Sequence, residues 1–241
     1  IVANDLDALP ACFIASKLKK TFLFYDSHEY FTEVPELVER KFVRWIWKKI
    51  EEVFLPRLNN FSTVSASIAE SYRKEYNILP VVIRNFPFLV SPPTPPPLPP
   101  QMGGKSAFLP HLGAGGQKII LYQGVLNKGR GLEYAIQAMK YLEGYLLLLI
   151  GDGDIRKNLE QLTLTEGLEL KVRFLGRIPF EELPAFTRLA HVGLVLEEFA
   201  GLNYQYSLSN KLFDYIHAGV PVLASPLPEI KSIFFRYDIG L

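Results

Sequence analysis

"KIILYQGVLNKGRGLEYAIQAM", residues 118–139, sets an apolar run, a glycine-punctuated turn and a segment of helical period in direct succession. Ile119, Ile120 and Leu121 form a continuous apolar run of strand length, as in a parallel sheet covered on both faces. Gly124, Gly129 and Gly131 then break the chain, and apolar residues recur at helical spacing up to Met139. Strand, turn and helix in this order make half of a βαβ unit. Two cations, Lys128 and Arg130, stand in the turn. Either the turn is simply tight, or something anionic sits there.

The same alternation runs through almost the whole chain. Apolar runs predict strands at 21–25, 61–65, 80–84, 118–123, 145–150, 172–175, 192–196 and 221–224, and the opening Ile-Val-Ala reads as the tail of another. Helical patterns fall at 8–19, 36–58, 66–76, 131–142, 154–166, 180–190, 209–218 and 228–235. The expected class is therefore α/β, with parallel sheets covered by helices. Nothing repeats at a fixed period, so a solenoid is excluded.

The alternation fails once, over 86–117, where "PPTPPPLPP" and "GAGG" replace periodicity with proline and glycine. That composition predicts a semi-rigid spacer, although the proline run also resembles an SH3 ligand. The domain reading is 1–90, a linker at 91–117, and a second domain at 118–241. GAGG precedes its strand instead of following it, so it is not a dinucleotide fingerprint.

Bulk composition narrows the partners. The 241 residues carry 26 basic and 25 acidic side chains, so no general field draws the chain to nucleic acid, and any anion site is local. The single cysteine, Cys12, excludes an internal disulfide and suits a reducing cytosol. No apolar run approaches the ~20 residues needed to span a bilayer. The four histidines, His28, His111, His191 and His217, lack metal-ligand spacing, so no metal and no cofactor is expected. The start without methionine and the abrupt end suggest a piece cut from a longer protein.

In parallel α/β sheets, ligands collect beyond the carboxyl ends of the strands. Gly124, Lys128 and Arg130 sit there, and glycines with adjacent cations suit a pyrophosphate. A second stretch, "NYQYSLSNKLFDYIHAGVPVLAS" at 203–225, brings Asn210, Lys211 and Asp214 into the first turns of a helix near the same edge. Asp214 can accept two hydroxyl hydrogen bonds, as from a ribose diol, or can be a plain solvated helix charge.

Taken in order, "YQG…KGRGLEYAIQAM", "LLLLIGDGD", "VRFLGRIPFEELPAFTRLAHVGLVL" and "NKLFDYIHAGVPVLAS" resemble the donor domain of glycosyltransferase family 4. Upstream, "NDLDAL", "FLFYDSHEYF", "FSTVSASIAESYRKEY" and "VVIRNFP" resemble the second half of its acceptor domain. The resemblance implies the GT-B fold, two Rossmann-like domains facing each other across a cleft, with the amino-terminal domain incomplete here. It implies a transferase for hexosyl or related groups, moving sugar from a nucleoside-diphosphate sugar to an acceptor hydroxyl with retention. The expected acceptor is a glycan or lipid-linked sugar, in cell-surface polysaccharide or glycolipid synthesis.

Carried across by position, the resemblance puts the donor diphosphate on Arg130, beside Gly124, and the ribose on Asp214; Lys128 and Lys211 are the candidates for the family's second diphosphate cation. The arginine that normally follows the first glycine falls on Val125. The first of the family's two acidic residues falls on Tyr206, and neither Glu197 nor Glu198 is promoted in its place. Asp152 lies in a family turn near the base. His28 and Glu29 are the expected catalytic pair on the acceptor side, with His28 bonding donor or acceptor and Glu29 either orienting it or positioning the acceptor. Asn4, Asp5 and Asn85 are further cleft candidates, Asn85 equally well a turn cap.

The segment 40–58 combines Arg40, Lys41, Arg44, Lys48 and Lys49 with Phe42, Trp45 and Trp47. Val43, Ile46, Trp47, Ile50, Val53 and Phe54 are expected to share a core face. The basic and aromatic flank also suits peripheral contact with an anionic membrane. Localisation is thus expected to be cytoplasmic, with the inner face of the membrane as a possible station. Two rival readings stay open: a non-catalytic GT-B relative binding a nucleotide or partner, and a scaffold whose proline segment recruits an SH3-like module.

Overall fold

The computed structural model describes residues 1–85, 116–199 and 201–241. The expected linker falls outside the described residues, except for its last two. Two compact units appear. One comprises 1–85 together with 199–208 and 226–233; the other comprises the described parts of 86–198 together with 209–225 and 234–241.

The first unit holds a four-stranded parallel sheet in sequential order, β1 (Val2–Asn4), β2 (Phe24–Ser27), β3 (Phe61–Thr63) and β4 (Val81–Val82). Helix α1 (Asp5–Lys19) joins β1 to β2. Two helices, α2 (Pro35–Val38) and α3 (Lys41–Phe54), lead to β3. Helix α4 (Ala66–Tyr76) then leads to β4. Its start is set by Ser65, whose hydroxyl accepts from Ile68 N at 3.2 Å, and its end by Asn77 in the left-handed region at φ 56°. Leu6, Leu9, Tyr25, Leu55, Ile68 and Tyr72 form the buried core.

The second unit holds β5 (Lys118–Gln123), β6 (Tyr145–Ile150), β7 (Val172–Gly176), β8 (Val192–Val195) and β9 (Val222–Ala224). All pair in parallel, in the order β7-β6-β5-β8-β9. Helices α5 (Leu132–Ala138) and α6 (Arg156–Thr165) pack on each other, as do α7 (Leu183–Thr187) and α9 (Asn210–Ala218). In chain order α8 (Leu202–Tyr206) comes between α7 and α9 and α10 (Pro228–Phe234) after β9, but α8 and all of α10 except Phe234 belong to the first unit. The sheet grows outward from β5 in both directions, so the chain reverses between β5 and β8. Their carboxyl ends form the crevice where a doubly wound sheet binds its ligand.

Several elements differ from expectation. The second strand begins at Phe24, not residue 21, and runs on through Asp26 and Ser27, because Asp26 pairs with Ser62 in the parallel ladder. Helix α1 begins at Asp5, three residues early, and accommodates Pro10. The long helix at 36–58 is broken at Glu39 and Arg40. On α3 the core-facing stripe is Trp47, Ile50 and Phe54, each partly buried, whereas Val43, Ile46 and Val53 are exposed. At 100° per residue, Ile46 and Val53 fall to the side of that stripe, and Val43 lies in the first turn.

Candidate functional site

Glycines decide where the backbone after β5 can go. A Cβ on Gly151, just past β6, would lie 1.8 Å from Gly124 O, and one on Gly131 would lie 2.5 Å from Leu196 O. Both have positive φ, +136° and +67°. Thus the loop 124–131 is pressed against the end of β6 on one side and against the chain leaving β8 on the other. Leu126 N donates to Asp152 O at 3.0 Å and Glu198 N to Gly129 O at 2.8 Å, which fixes the loop from both sides. Asp152 itself is occupied locally, accepting from Gly153 N at 3.0 Å.

Into this frame project Arg130 and Lys211, and both reach one carboxylate. Glu197 Oε1 accepts from Arg130 Nη1 at 3.0 Å and from Lys211 Nζ at 2.5 Å. Glu197 is 1 % exposed and Lys211 8 %. Lys211 Nζ also donates to Ser209 Oγ at 2.9 Å and lies 5.1 Å from the centre of the Tyr122 ring. Burial pulls the Lys211 amine below the usual lysine range, and Glu197 opposes that pull. The Glu197 carboxyl is pushed up by burial, but Lys211 first and Arg130 next bring it below its ordinary value.

Asp214 joins the same edge through Gln123, the last residue of β5. Gln123 Nε2 donates to Asp214 Oδ2 at 2.9 Å, while its Oε1 accepts from Thr187 Oγ1 at 2.8 Å, so the amide is held from both ends. Burial raises the Asp214 carboxyl, with Gln123 as the main opposing influence. Behind it, Tyr215 is fully buried, donating to Leu121 O and accepting from Gln123 N. Its ring lies over Gly193, where a Cβ would come within 2.5 Å of the ring carbons.

The second unit therefore brings together Gly124, Arg130, Lys211 and Asp214 of the expected donor residues. Lys128 and Asn210 are exposed, and neither joins an ion pair among the described residues. Val125 is 53 % exposed. Sequence reading left out Glu197 and Gln123, whose partners are distant along the chain. Tyr206 belongs to the first unit, partly buried against its core.

In the first unit, His28, Asp5 and Asn4 meet at the carboxyl ends of β1 and β2. His28 Nε2 pairs with Asp26 Oδ2 at 2.8 Å, and Asp26 Oδ1 accepts from Ser62 Oγ at 2.6 Å. His28 N donates to Asp5 Oδ1 at 2.9 Å, where Asp5 has φ 59°. The hydrogen bond from Asp26 raises the imidazole above its ordinary value. The ring is thus oriented by Asp26, which leaves positioning of the acceptor as the role of the two considered for Glu29. Glu29 is exposed beside it, and Asn85 is exposed at the end of the described segment.

Just past His28 the chain is tied down by a buried polar network. Lys48 Nζ lies 2.8 Å from Glu75, 3.4 Å from Glu51 and 3.6 Å from Glu33. Arg44 also pairs with Glu33, and Thr32 and Tyr76 donate to Glu51. Asn203 Oδ1 accepts from Tyr30 N at 2.8 Å. Three cations of the 40–58 segment, Arg44, Lys48 and Lys49, are thus engaged by carboxylates, Lys49 with Glu52. The stacked rings of Phe42 and Trp45, at 6.1 Å, stay 72 % and 56 % exposed.

Among the described residues no group of three His, Cys, Asp or Glu is placed to hold a metal ion. Nor is any helix among them long and apolar enough to cross a membrane.

Residues 108–241, more than half of the chain, match the family described as Glycosyl transferases group 1, and the chain belongs to that family. An uncharacterized glycosyltransferase of Methanocaldococcus jannaschii is 38 % identical over 120 residues, 48 % of this chain and 29 % of that protein. Among solved structures, HepE of Anabaena in complex with UDP and glucose superposes with a TM-score of 0.73. It is 19 % identical, over 97 % of this chain and 60 % of that one. Sucrose-phosphate synthase of Thermosynechococcus elongatus gives a TM-score of 0.68 at 19 % identity, over 100 % of this chain and 59 % of that one. These likenesses show the GT-B class of fold. The chain spans about 60 % of the solved structures and 29 % of the curated relative.

Proposed function

We propose that this group 1 glycosyl transferase moves a sugar from a nucleoside-diphosphate sugar to an acceptor hydroxyl, holding the donor at the carboxyl ends of β5 and β8. The observation that carries this reading is the convergence of Arg130 and Lys211 at the reversal point of the second sheet. In such a transfer, negative charge develops on the departing diphosphate. Cations fixed in advance stabilise it without reorganising. Arg130 and Lys211 take that role, Gly124 admits the phosphates to the backbone, and Asp214 accepts from the ribose hydroxyls. Lys128 adds an exposed charge in the loop after β5, and Asp152 and Asn210 are further polar groups assigned to the donor side.

On the acceptor side, His28, set by Asp26 with Glu29 beside it, bonds the reacting sugar or its acceptor. Asn4, Asp5 and Asn85 are the neighbouring polar groups assigned to that side. Retention of configuration, the hexosyl class of the group transferred, family 4 membership and a glycan or lipid-linked acceptor are what the resemblance of the motifs to family 4 implies. The reading needs no metal cofactor, so turnover is expected to survive a chelator. It places the protein in the cytoplasm, with the exposed Phe42–Trp45 pair, Arg40 and Lys41 touching the inner face of an anionic membrane.

The test is binding of UDP, GDP, ADP and CMP by calorimetry or thermal shift, with Arg130→Ala and Asp214→Asn alongside. Ligand at ~100 times its Kd stabilises by roughly 2.7 kcal/mol. One nucleotide is expected to bind, and both variants to lose it; silence from folded protein sinks the donor assignment. A second reading, a non-catalytic nucleotide-binding relative, rests on exposed Val125 at an arginine position and on Tyr206, partly buried against the first unit's core, at an acidic one. Nucleotide binding without turnover of any of the corresponding sugars by the full-length protein would favour it.

A further inference from the structure

We propose that Glu197 is a positioning residue for donor binding, a buried counter-ion that holds Lys211 as a charged ammonium and aims it, with Arg130, at the diphosphate. This rests on the donor site proposed above. Both cations converge on a single oxygen, Oε1, from different elements: Arg130 from the loop after β5 and Lys211 from the second residue of α9. Glu197 follows β8, so three segments that share no helix or strand are locked together by one carboxylate. The other oxygen, Oε2, is buried with no hydrogen-bond partner among the described residues. A carboxylate kept only for packing would be better placed with both oxygens satisfied, and an apolar pair of like volume is commonly as stable as a buried ion pair. The arrangement makes sense when the cations themselves are wanted.

Lys211 depends on that counter-ion. Burial is the largest influence on its amine and favours the neutral form. Arg130 pushes the same way. Against them stand Glu197, the stronger influence, and Asp214 one turn along α9. The remaining neighbours are neutral: the Ser209 hydroxyl and the Tyr122 ring. Tyr215, on the far side of Asp214, stays protonated because burial lifts its phenol well above the ordinary value. His217, on the last turn of α9, acts on Asp214. With Glu197 neutralised, only Asp214, itself bound to Gln123, opposes burial. Lys211 then releases its proton at lower pH, and the diphosphate loses a cation in a pH-dependent way. A role in packing alone would give a loss independent of pH.

The experiment is titration of the full chain with UDP, GDP and ADP between pH 7 and pH 10, in wild type, Glu197→Gln and the double variant Glu197→Gln/Lys211→Arg. In parallel the Lys211 13Cε resonance, assigned with Lys211→Arg, is followed over the same range. For a nucleotide that binds wild type, affinity in Glu197→Gln is expected to start falling at lower pH, by about tenfold per pH unit beyond the new midpoint. The Lys211 resonance is expected to titrate with that midpoint. The double variant is expected to bind without the early alkaline loss, since a guanidinium does not deprotonate. A Glu197→Gln profile parallel to wild type, or an unmoved Lys211 midpoint, overturns the inference. If no nucleotide binds wild type, the donor site itself has failed, and the Lys211 midpoint alone still decides whether Glu197 holds the charge. Should Glu197→Gln not fold, Glu197→Asp replaces it: the shorter side chain draws back from Lys211, and an unchanged midpoint overturns the inference equally.

Discussion

Replacing Lys48 by methionine keeps the length of the side chain along α3 and removes the charge at the centre of the network that anchors the chain after His28. Glu51 is fully buried, Glu33 is 8 % and Lys48 18 % exposed, so these charges are poorly screened. At an effective dielectric near 20, an ammonium 3.4 Å from the Glu51 carboxylate is attracted by about 5 kcal/mol. Desolvation offsets part of that in the native protein. Once the partner is gone, the carboxylate keeps its desolvation cost uncompensated, and the net loss is roughly 3–5 kcal/mol.

The loss should depend on pH, with a definite sign. Burial already raises the Glu51 carboxyl, and Lys48 is the largest influence bringing it down. In Lys48→Met it rises further. A carboxyl whose folded value exceeds its unfolded one favours the fold when protonated. Its stabilisation is complete below the unfolded value and is lost as pH rises through the folded value. The variant should therefore be most impaired at pH 8 and recover toward pH 5. Both tryptophans, Trp45 and Trp47, lie in α3, so their fluorescence during urea unfolding reports the first unit alone. With a slope of about 2 kcal/mol per molar urea, the midpoint should drop by roughly 1.5–2.5 M at pH 8. Lys48→Met/Glu51→Gln should regain most of it. Equal losses at both pH values, or no gain in the double variant, would refute the reasoning.

Two shorter predictions concern the sites directly. Gly151→Ala forces a Cβ against Gly124 O at a φ of +136°, where neither backbone can yield; a destabilisation of roughly 3 kcal/mol and a weakened nucleotide response are expected, read from melts with and without UDP. Asp26→Asn removes the largest influence raising His28, so the imidazole proton resonances should titrate at lower pH than in wild type. In wild type that pair contributes stability complete below the unfolded histidine value and lost as pH rises through the folded one. Because His28 is 48 % exposed, solvent screening keeps the contribution small, and a large pH-dependent stability change in Asp26→Asn would contradict the assignment.

Whether a feature could be read in the sequence depended on how far apart along the chain its causes lie. Strands β5 and β6 fell on the expected residues because each is an unbroken apolar run next to a glycine. The second strand was misplaced toward Thr21 and Phe22, since its real end carries polar Asp26 and Ser27, which serve the site and the ladder instead of the core. That shift also hid the partner of His28, two residues away. Lys211 and Asp214 were legible from helical spacing beside a glycine stop. Glu197 was not: it lies 67 residues from Arg130 and 14 from Lys211, and only the sheet order brings them together. The short α8 had too few residues for a period to show.

Two lysines, Lys48 and Lys211, are built alike, each buried against carboxylates with its ammonium within reach of tyrosine rings. The carboxylates around each separate them. Around Lys48 three carboxylates, Glu33, Glu51 and Glu75, meet two cations, Arg44 and Lys48, so that network has no positive charge to offer and closes on itself. Around Lys211 two cations, Arg130 and Lys211, share the carboxylate of Glu197, with Asp214, itself bound to Gln123, the next carboxylate acting on the amine. This pairing lies where the second sheet reverses its strand order, beside a loop whose glycines let it pack close against the ends of β6 and β8. A buried lysine–glutamate pair is thus a brace or a binding device according to how many carboxylates hold it and which strand ends it faces, and of these two lysines Lys211 is the one placed to receive a diphosphate.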